Sequence, residues 1–163
     1  MRITPKFRGG GFSRVPLERW VRHAVTTKKG NEMKELIDKK ITGLRINEDQ
    51  SVLAFDTDQG VIAYDAWGDC CSETWFADIT GVGALIGGTV HTADEVSLDG
   101  YNVEDGRTRQ ECDEAYGVKL TTDKGYADIV FRNSSNGYYG GAIELMKREL
   151  PEGMTAIAAD WHA

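Results

Sequence analysis

The stretch ITGLRINEDQSVLAFDTDQGVIAYDA, residues 41–66, contains three short segments in which residues of different polarity alternate. Alternation with a period of two is typical of β-strands that have one buried face. The polar run at residues 47–50 reads as a turn, and Asp58-Gln59-Gly60 is typical of a tight hairpin connection. The stretch therefore predicts an antiparallel meander of three strands, at residues 41–46, 51–57 and 61–66.

The rest of the chain continues this pattern with few helical signals. Residues 32–39 predict a short helix capped by Asn31, and residues 81–87 predict one or two helical turns. We therefore expect a single α+β domain, mainly antiparallel β-sheet, in which a few short helices cover one face. The further predicted strands are residues 74–79, 89–98, 116–122, 126–132 and 138–146.

Three segments follow from composition and pattern. Residues 1–32 read as a basic N-terminal extension, residues 33–146 as the β-rich core domain, and residues 147–163 as a C-terminal tail. Residues 33–37, Met-Lys-Glu-Leu-Ile, also resemble a natural protein start. Met33 is therefore an alternative first residue of the protein. Residues 99–115 are polar and read as a long loop, a class of segment that is often functional.

Length and composition set the class of protein. The chain has 163 residues, of which 40% are hydrophobic and 28% are charged, as in soluble globular domains. The longest apolar stretch, near residues 82–86, is far too short to span a bilayer, and no apolar signal segment follows the basic N-terminus. Three cysteines, two of them adjacent, do not form a secreted disulfide framework. These features favour a reducing cytoplasm.

Charge is distributed unevenly along the chain. Residues 1–32 carry eight Lys and Arg against two Glu, a net charge of +6, and the total of −7 leaves −13 for the remainder. Basic residues interleaved with aromatic residues can bind phosphates and stack on bases. A nucleic-acid-binding arm is therefore one interpretation, and an N-terminal tail that has no function is the other. The candidate residues of the arm are Arg8, Arg14, Arg19, Trp20 and Arg22.

Two dense runs, residues 68–79 and residues 133–141, hold the unusual side chains of the core domain. The first contains two adjacent cysteines and a tryptophan, and the second contains two adjacent tyrosines between glycines. An exposed tyrosine suits a binding surface, although it also suits ordinary packing between strands. We expect these runs to carry any ligand or partner site, with Asp69, Cys70, Cys71, Ser72, Trp75, Asn136, Tyr138 and Tyr139 as its candidate residues.

The cysteine pair Cys70-Cys71 is open to several interpretations. Adjacent residues in an extended strand point to opposite faces, and the chain has no recognised zinc-ligand spacing, so we expect no metal and no cofactor. A cysteine nucleophile needs a base, for which His91 is the candidate inside the predicted sheet. A vicinal disulfide is the third alternative. The simplest expectation is that one cysteine packs in the core while the other lines a loop.

Several of these motifs, in order, resemble a small uncharacterised domain family of phages and prophages. The resemblance rests on Gly-Asp-Cys-Cys-Ser-Glu at residues 68–73 and Ser-Asn-Gly-Tyr-Tyr at residues 135–139, with shorter matches at residues 78–81, 85–87 and 93–96. It covers roughly residues 33–145. The family supplies a genomic setting and no mechanism. It implies a bacterial cytoplasm during phage infection.

These observations lead to one principal hypothesis and three alternatives. The principal hypothesis is a non-enzymatic phage accessory protein that binds a host protein, with an inhibitor of a bacterial defence system as its specific form. The first alternative is a small-molecule or nucleotide-binding protein that uses the loops at residues 68–72 and 133–139. The others are nucleic-acid binding through the arm and an enzyme that uses Cys70 or Cys71. A homo-oligomer is compatible with all four, and none involves a membrane.

Overall fold

The computed structural model describes residues 33–96, 98, 107 and 110–163, which form two five-stranded sheets. Every strand pair described is antiparallel. The strands are β1 (Ile41–Ile46), β2 (Val52–Thr57), β3 (Gly60–Gly68), β4 (Glu73–Thr80), β5 (Val90–Val96), β6 (Cys112–Thr122), β7 (Gly125–Ser135), β8 (Gly141–Leu145), β9 (Thr155–Ile157) and β10 (Trp161–His162).

The first sheet has the strand order β8-β3-β2-β1-β9. Its centre is the predicted meander, with Leu44 of β1 opposite Phe55 of β2 and Leu53 of β2 opposite Tyr64 of β3. The antiparallel meander is therefore confirmed. The apolar side chains of Leu44 and Phe55 share one face because directly opposed residues of neighbouring strands point the same way.

The second sheet has the strand order β10-β4-β7-β6-β5. The long hairpin β6–β7 forms its centre, with a register that runs from Cys112 opposite Ser135 to Thr122 opposite Gly125. At the Gly125 end, Asp123-Lys124 forms the turn between the strands that the sequence predicts at residues 116–122 and 126–132. Because β6 and β7 each have eleven residues, the two ends of this hairpin lie roughly 30 Å apart.

The hydrophobic core lies between the two sheets. Phe55 and Tyr64 from the first sheet and Phe76, Ile129 and Phe131 from the second belong to one buried cluster. The rings of Phe55 and Tyr64 meet edge to face, with centroids 6.0 Å apart. Each sheet therefore buries its apolar face against the other, which is the packing of a β-sandwich.

The expected α+β class is wrong, because this is a mainly-β fold. Only two short helices occur among the described residues, a 3₁₀ helix at Lys34–Leu36 and the single-turn helix α1 at Val82–Leu85. The first ends at Leu36 because the next residue, Ile37, has an extended backbone with a ψ of 138°. The second sheet covers the face that we expected helices to cover.

Two further expectations from the sequence need correction. The predicted loop at residues 99–115 overlaps β6, which begins at Cys112. The tail contains two strands that the sequence pattern does not reveal, β9 beside β1 and β10 beside β4. Strands of three and two residues are too short for an alternating pattern to be recognised.

Candidate functional site

Several connections meet at one end of the sandwich, which we call the loop end. They are the β1–β2 turn (residues 47–51), the β3–β4 turn (residues 69–72), residues 107 and 110–111 before β6, and the β7–β8 loop (residues 136–140). The backbone N–H of Asp69 and the hydroxyl of Ser72 both donate to the carbonyl of Gly140, at 3.1 Å each. The fold therefore brings the two runs singled out from the sequence into direct contact.

Close packing fills the junction between these two runs. A Cβ atom added at Gly141 would lie 2.7 Å from the side-chain oxygen of Asn133 and closer still to the hydroxyl of Thr74. One added at Gly68 would meet the carbonyl oxygen of Ser72 at 3.0 Å. Since even a methyl group does not fit there without movement, a ligand at the loop end would bind on its surface and not between the loops.

The β7–β8 loop holds its exposed aromatic residue in a fixed backbone. The side chain of Asn136 accepts a hydrogen bond from the N–H of Tyr138, and the hydroxyl of Ser135 accepts one from the N–H of Gly137, both at 3.0 Å. Tyr138 is 82% exposed, and its ring meets the ring of Tyr139 edge to face at 5.2 Å. The loop therefore presents a large amphipathic ring to solvent from a backbone that these hydrogen bonds hold in place.

The Cys70-Cys71 pair lies in the β3–β4 turn and not in a strand. Both side chains are exposed, and their sulfur atoms are 3.3 Å apart. The expectations that adjacent cysteines point to opposite faces, and that one of them packs in the core, are therefore wrong. The physical reason is the backbone of Cys71, whose φ of 71° turns its side chain back towards Cys70.

The surroundings of Cys71 and Cys112 do not favour a nucleophilic thiolate. The contact between the two sulfur atoms, in which either thiol can be the donor, raises the pKa of the Cys71 thiol. Burial raises the pKa of Cys112, and the carboxylates of Glu114 and Asp113 add to this effect. His91 lies on β5 beside the far end of β6, roughly 30 Å from Cys112, and so cannot act as a base at the loop end.

Trp75 belongs to the support of the loop end and not to its surface. Its side chain is 1% exposed, and the guanidinium of Arg107 lies 4.7 Å from its ring centroid. Arg107 also forms an ion pair with Glu73 at 2.6 Å and donates to the carbonyl of Asp49 at 2.9 Å. The arginine thereby links the β1–β2 turn to β4.

Two polar contacts beneath the loops were not anticipated from the sequence. The side chain of Gln110 donates to the carbonyl of Cys71 at 2.9 Å, which ties the β3–β4 turn to the start of β6. Arg132 is 3% exposed and forms a two-point ion pair with Asp113 on the neighbouring strand. The signal that could have revealed this polar layer is the end of β7, where the apolar pattern stops and residues 132–135 are all polar yet buried.

Several sequence-based candidates lie outside the part of the chain that the structure describes. Arg8, Arg14, Arg19, Trp20 and Arg22 of the proposed arm all fall in residues 1–32. Within the described ranges, no group of three or more His, Cys, Asp or Glu side chains is arranged to hold a metal ion. The helices described there are also too short to cross a membrane.

The fold and the loop end together define an antiparallel β-sandwich protein with a polar layer beneath closely packed loops. The chain belongs to the family described as a domain of unknown function, DUF7448, whose model matches residues 34–145. It is also similar to an uncharacterised protein of Acanthamoeba polyphaga mimivirus, L278, with 34% identity over 117 residues. That match covers 65% of this chain and 86% of the viral protein. No solved structure matches significantly.

These comparisons confirm the coarser part of the resemblance noted in the sequence. The match to residues 34–145 nearly coincides with the expected range of residues 33–145, and the similar mimivirus protein fits an uncharacterised domain family with viral members. A phage origin remains a prediction.

Proposed function

We propose that this protein is a non-catalytic binding protein of a phage or prophage that binds a host protein through its loop end. Its proposed place of action is the cytoplasm of the bacterial host, and its proposed target is a component of a defence system. The observation that carries the proposal is the exposure of Tyr138 on a loop with a fixed backbone. Exposed, preorganised aromatic side chains are enriched among the residues that dominate binding to proteins.

A second exposed aromatic side chain near the loop end supports this proposal. Trp67 of β3 is 36% exposed and lies directly before Gly68, at the point where β3 enters the loop end. Its cross-strand neighbour is Ala142 of β8, the strand that follows the Tyr138 loop. The strand β3 therefore reaches the loop end with an exposed aromatic side chain, and exposed aromatic side chains are typical of protein contacts.

Charge gives a second, weaker support. The chain beyond residue 32 has a net charge of −13, which would steer it towards a basic partner. Many proteins that bind nucleic acid present a basic surface. An acidic protein can compete with the nucleic acid for that surface. We therefore propose that a basic, nucleic-acid-binding component of the defence machinery is the target.

Affinity enrichment with matched variants tests the proposal. The full chain, the variant Tyr138→Ala and the control variant Tyr126→Ala serve as baits in an extract of the bacterial host. Tyr126 serves as the control because it is also an exposed tyrosine, at 60%, but lies at the opposite end of the β6–β7 hairpin. We expect a host protein that the native chain and Tyr126→Ala retain and that Tyr138→Ala loses by about tenfold or more. Equal retention by all three baits would contradict the proposal.

The contact between the two loops also favours a second candidate function, binding of a small aromatic ligand such as a nucleotide. Since the junction itself is filled, the ligand would stack on the exposed Tyr138 ring, on the loop that contacts the β3–β4 turn. Titration with nucleotides, followed by tyrosine fluorescence, tests this candidate. Quenching that disappears in Tyr138→Ala but persists in Tyr126→Ala would support it, and no saturable change would exclude it.

A further inference from the structure

We propose that Cys70 and Cys71 form a vicinal dithiol that low-molecular-weight disulfides oxidise to an intramolecular disulfide. The site is a covalent modification site on the protein surface, and the co-reactant class is an oxidised small thiol such as glutathione disulfide. The proposal does not depend on the proposed partner.

The backbone places the two sulfur atoms together. The N–H of Ser72 donates to the carbonyl of Asp69 at 2.9 Å, so residues 69–72 form a β-turn with the cysteines at its two central positions. The positive φ of Cys71 at the third position is that of a type II turn, where glycine or asparagine is usual. A cysteine occupies this position at a conformational disadvantage, which is explained if its thiol has a role.

The pair is accessible and held in place. Both cysteines are exposed, so a small disulfide can approach them. Hydrogen bonds from Gln110 to the carbonyl of Cys71 and from Ser72 to the carbonyl of Gly140 hold the turn against β6 and the β7–β8 loop. The distance of 3.3 Å between the sulfur atoms lies within the range in which reacting atoms meet.

The chemistry is a two-step thiol–disulfide exchange. The thiolate of one cysteine attacks the small disulfide, forms a mixed disulfide and releases one small thiol. The second cysteine then loses its proton and attacks the sulfur of the first, so that the Cys70–Cys71 bond forms while the bond to the small thiol breaks. The two cysteines lose two electrons, the small disulfide gains them, and the two protons end on the two small thiols that are released.

Cys112 provides an internal contrast. Cys112 is partly buried. A Cβ atom added at Gly137 would lie 3.6 Å from the Cβ of Cys112, so the β7–β8 loop covers this cysteine. Glu114 and Asp113 beside it disfavour a thiolate. The site therefore consists of Cys70 and Cys71, and Cys112 should react slowly with the same reagent.

Mass spectrometry of the full chain tests this inference. The fully reduced protein is incubated with glutathione disulfide, alkylated to stop exchange, and measured intact and as peptides. We expect a product that is lighter by two hydrogen atoms, with the bond between Cys70 and Cys71. Cys70→Ser and Cys71→Ser should instead accumulate the glutathione adduct, about tenfold more than the native chain, because the second step is lost. Cys112→Ser should behave like the native chain.

Two results would overturn the inference. One is a native chain that accumulates glutathione adducts to the same extent as the two serine variants. The other is a disulfide that includes Cys112. Neither result depends on partner binding, so the proposed function and this inference can fail separately.

Discussion

The buried pair of Arg132 and Asp113 is the residue-scale feature on which the loop end most depends. An ion pair taken out of water contributes little net stability, but removal of one partner takes away a large part of the compensation for the other buried charge. Arg132 is almost fully buried while Asp113 is more exposed, so loss of the aspartate is the more harmful change. The exposed pair of Arg148 and Asp65 offers the contrast, because solvent screens it.

Asp113→Ala should therefore lower the free energy of unfolding by about 3 kcal/mol, measured by urea denaturation. The matched control Asp65→Ala should cost less than about 1 kcal/mol. The combined change Asp113→Leu with Arg132→Met should recover most of the loss, because the buried guanidinium is removed together with its carboxylate. Equal costs for Asp113→Ala and Asp65→Ala would show that the Arg132 pair does not support the fold in this way.

Asp49 in the β1–β2 turn gives a pH-dependent prediction. The hydroxyl of Ser51 donates to its carboxylate at 2.7 Å, and this bond, with those from the Ser51 N–H and Asn47, lowers the pKa of Asp49 below its ordinary value of 3.8. A lowered pKa means that the carboxylate stabilises the fold above pH 3.8. This contribution is lost as the pH falls through the folded-state pKa.

Asp49→Asn should therefore destabilise the protein by less than about 1 kcal/mol at pH 7, since the turn is exposed and screened. The difference from the native chain should shrink as the pH falls below 3.8 and should vanish once the folded-state carboxyl is protonated, because both side chains are then neutral. Thermal unfolding across this pH range measures it, with Glu48→Gln as the control for loss of one charge from the same turn. A difference that persists at low pH would contradict the assigned cause.

Single-residue features were the least predictable from sequence. The side-chain types at residues 69–72 and 136–139 were identified, but their exposure was not, because burial depends on the strands that approach from elsewhere in the chain. Trp75 is the clearest example, since its aromatic character predicts a contact surface and Arg107, 32 positions later in the chain, covers it. Cys71 is a second example, because the residues next to it in the sequence do not predict its positive φ.

At the scale of the elements, the strands β1, β2 and β3 of the meander, the strand β4 and the β6–β7 hairpin were predictable because their alternating patterns are local. The predicted strand at residues 41–46 coincides with β1, and the one at residues 74–79 lies inside β4. The tail strands were not predictable. β9 and β10 exist because β1 and β4 offer open edges, and a few residues of almost any pattern can complete an edge.

Two glycine substitutions test how tightly the elements pack at the loop end. Gly141→Ala at the start of β8 should lower stability by about 1–3 kcal/mol, because its methyl group would enter the space of Thr74 and Asn133. Gly83→Ala in helix α1 has open space around the new methyl group and should raise stability by roughly 0.5 kcal/mol. Differential scanning calorimetry compares them. A neutral Gly141→Ala would mean that the loops are not closely packed.

At the scale of the whole molecule, the second sheet decided the fold class. Sequence patterns identified most strands but not their division into two sheets, so the cover over the first sheet was assigned to helices. The division follows from non-local pairings, such as Glu73 beside Ser134 and Gly68 beside Gly141. These pairings also create the loop end, since they bring the β3–β4 turn and the β7–β8 loop to the same place.

The most direct test of the proposed function is site-specific photo-crosslinking in the infected bacterial host. A photoreactive phenylalanine analogue replaces Tyr138 in one form of the full chain and Tyr126 in the other, and irradiation is followed by mass spectrometry of the joined proteins. Our account predicts that the analogue at position 138 crosslinks reproducibly to one host protein and that the analogue at position 126 does not crosslink to this protein. No crosslinked protein at position 138, or the same set of proteins at both positions, would contradict binding through the loop end.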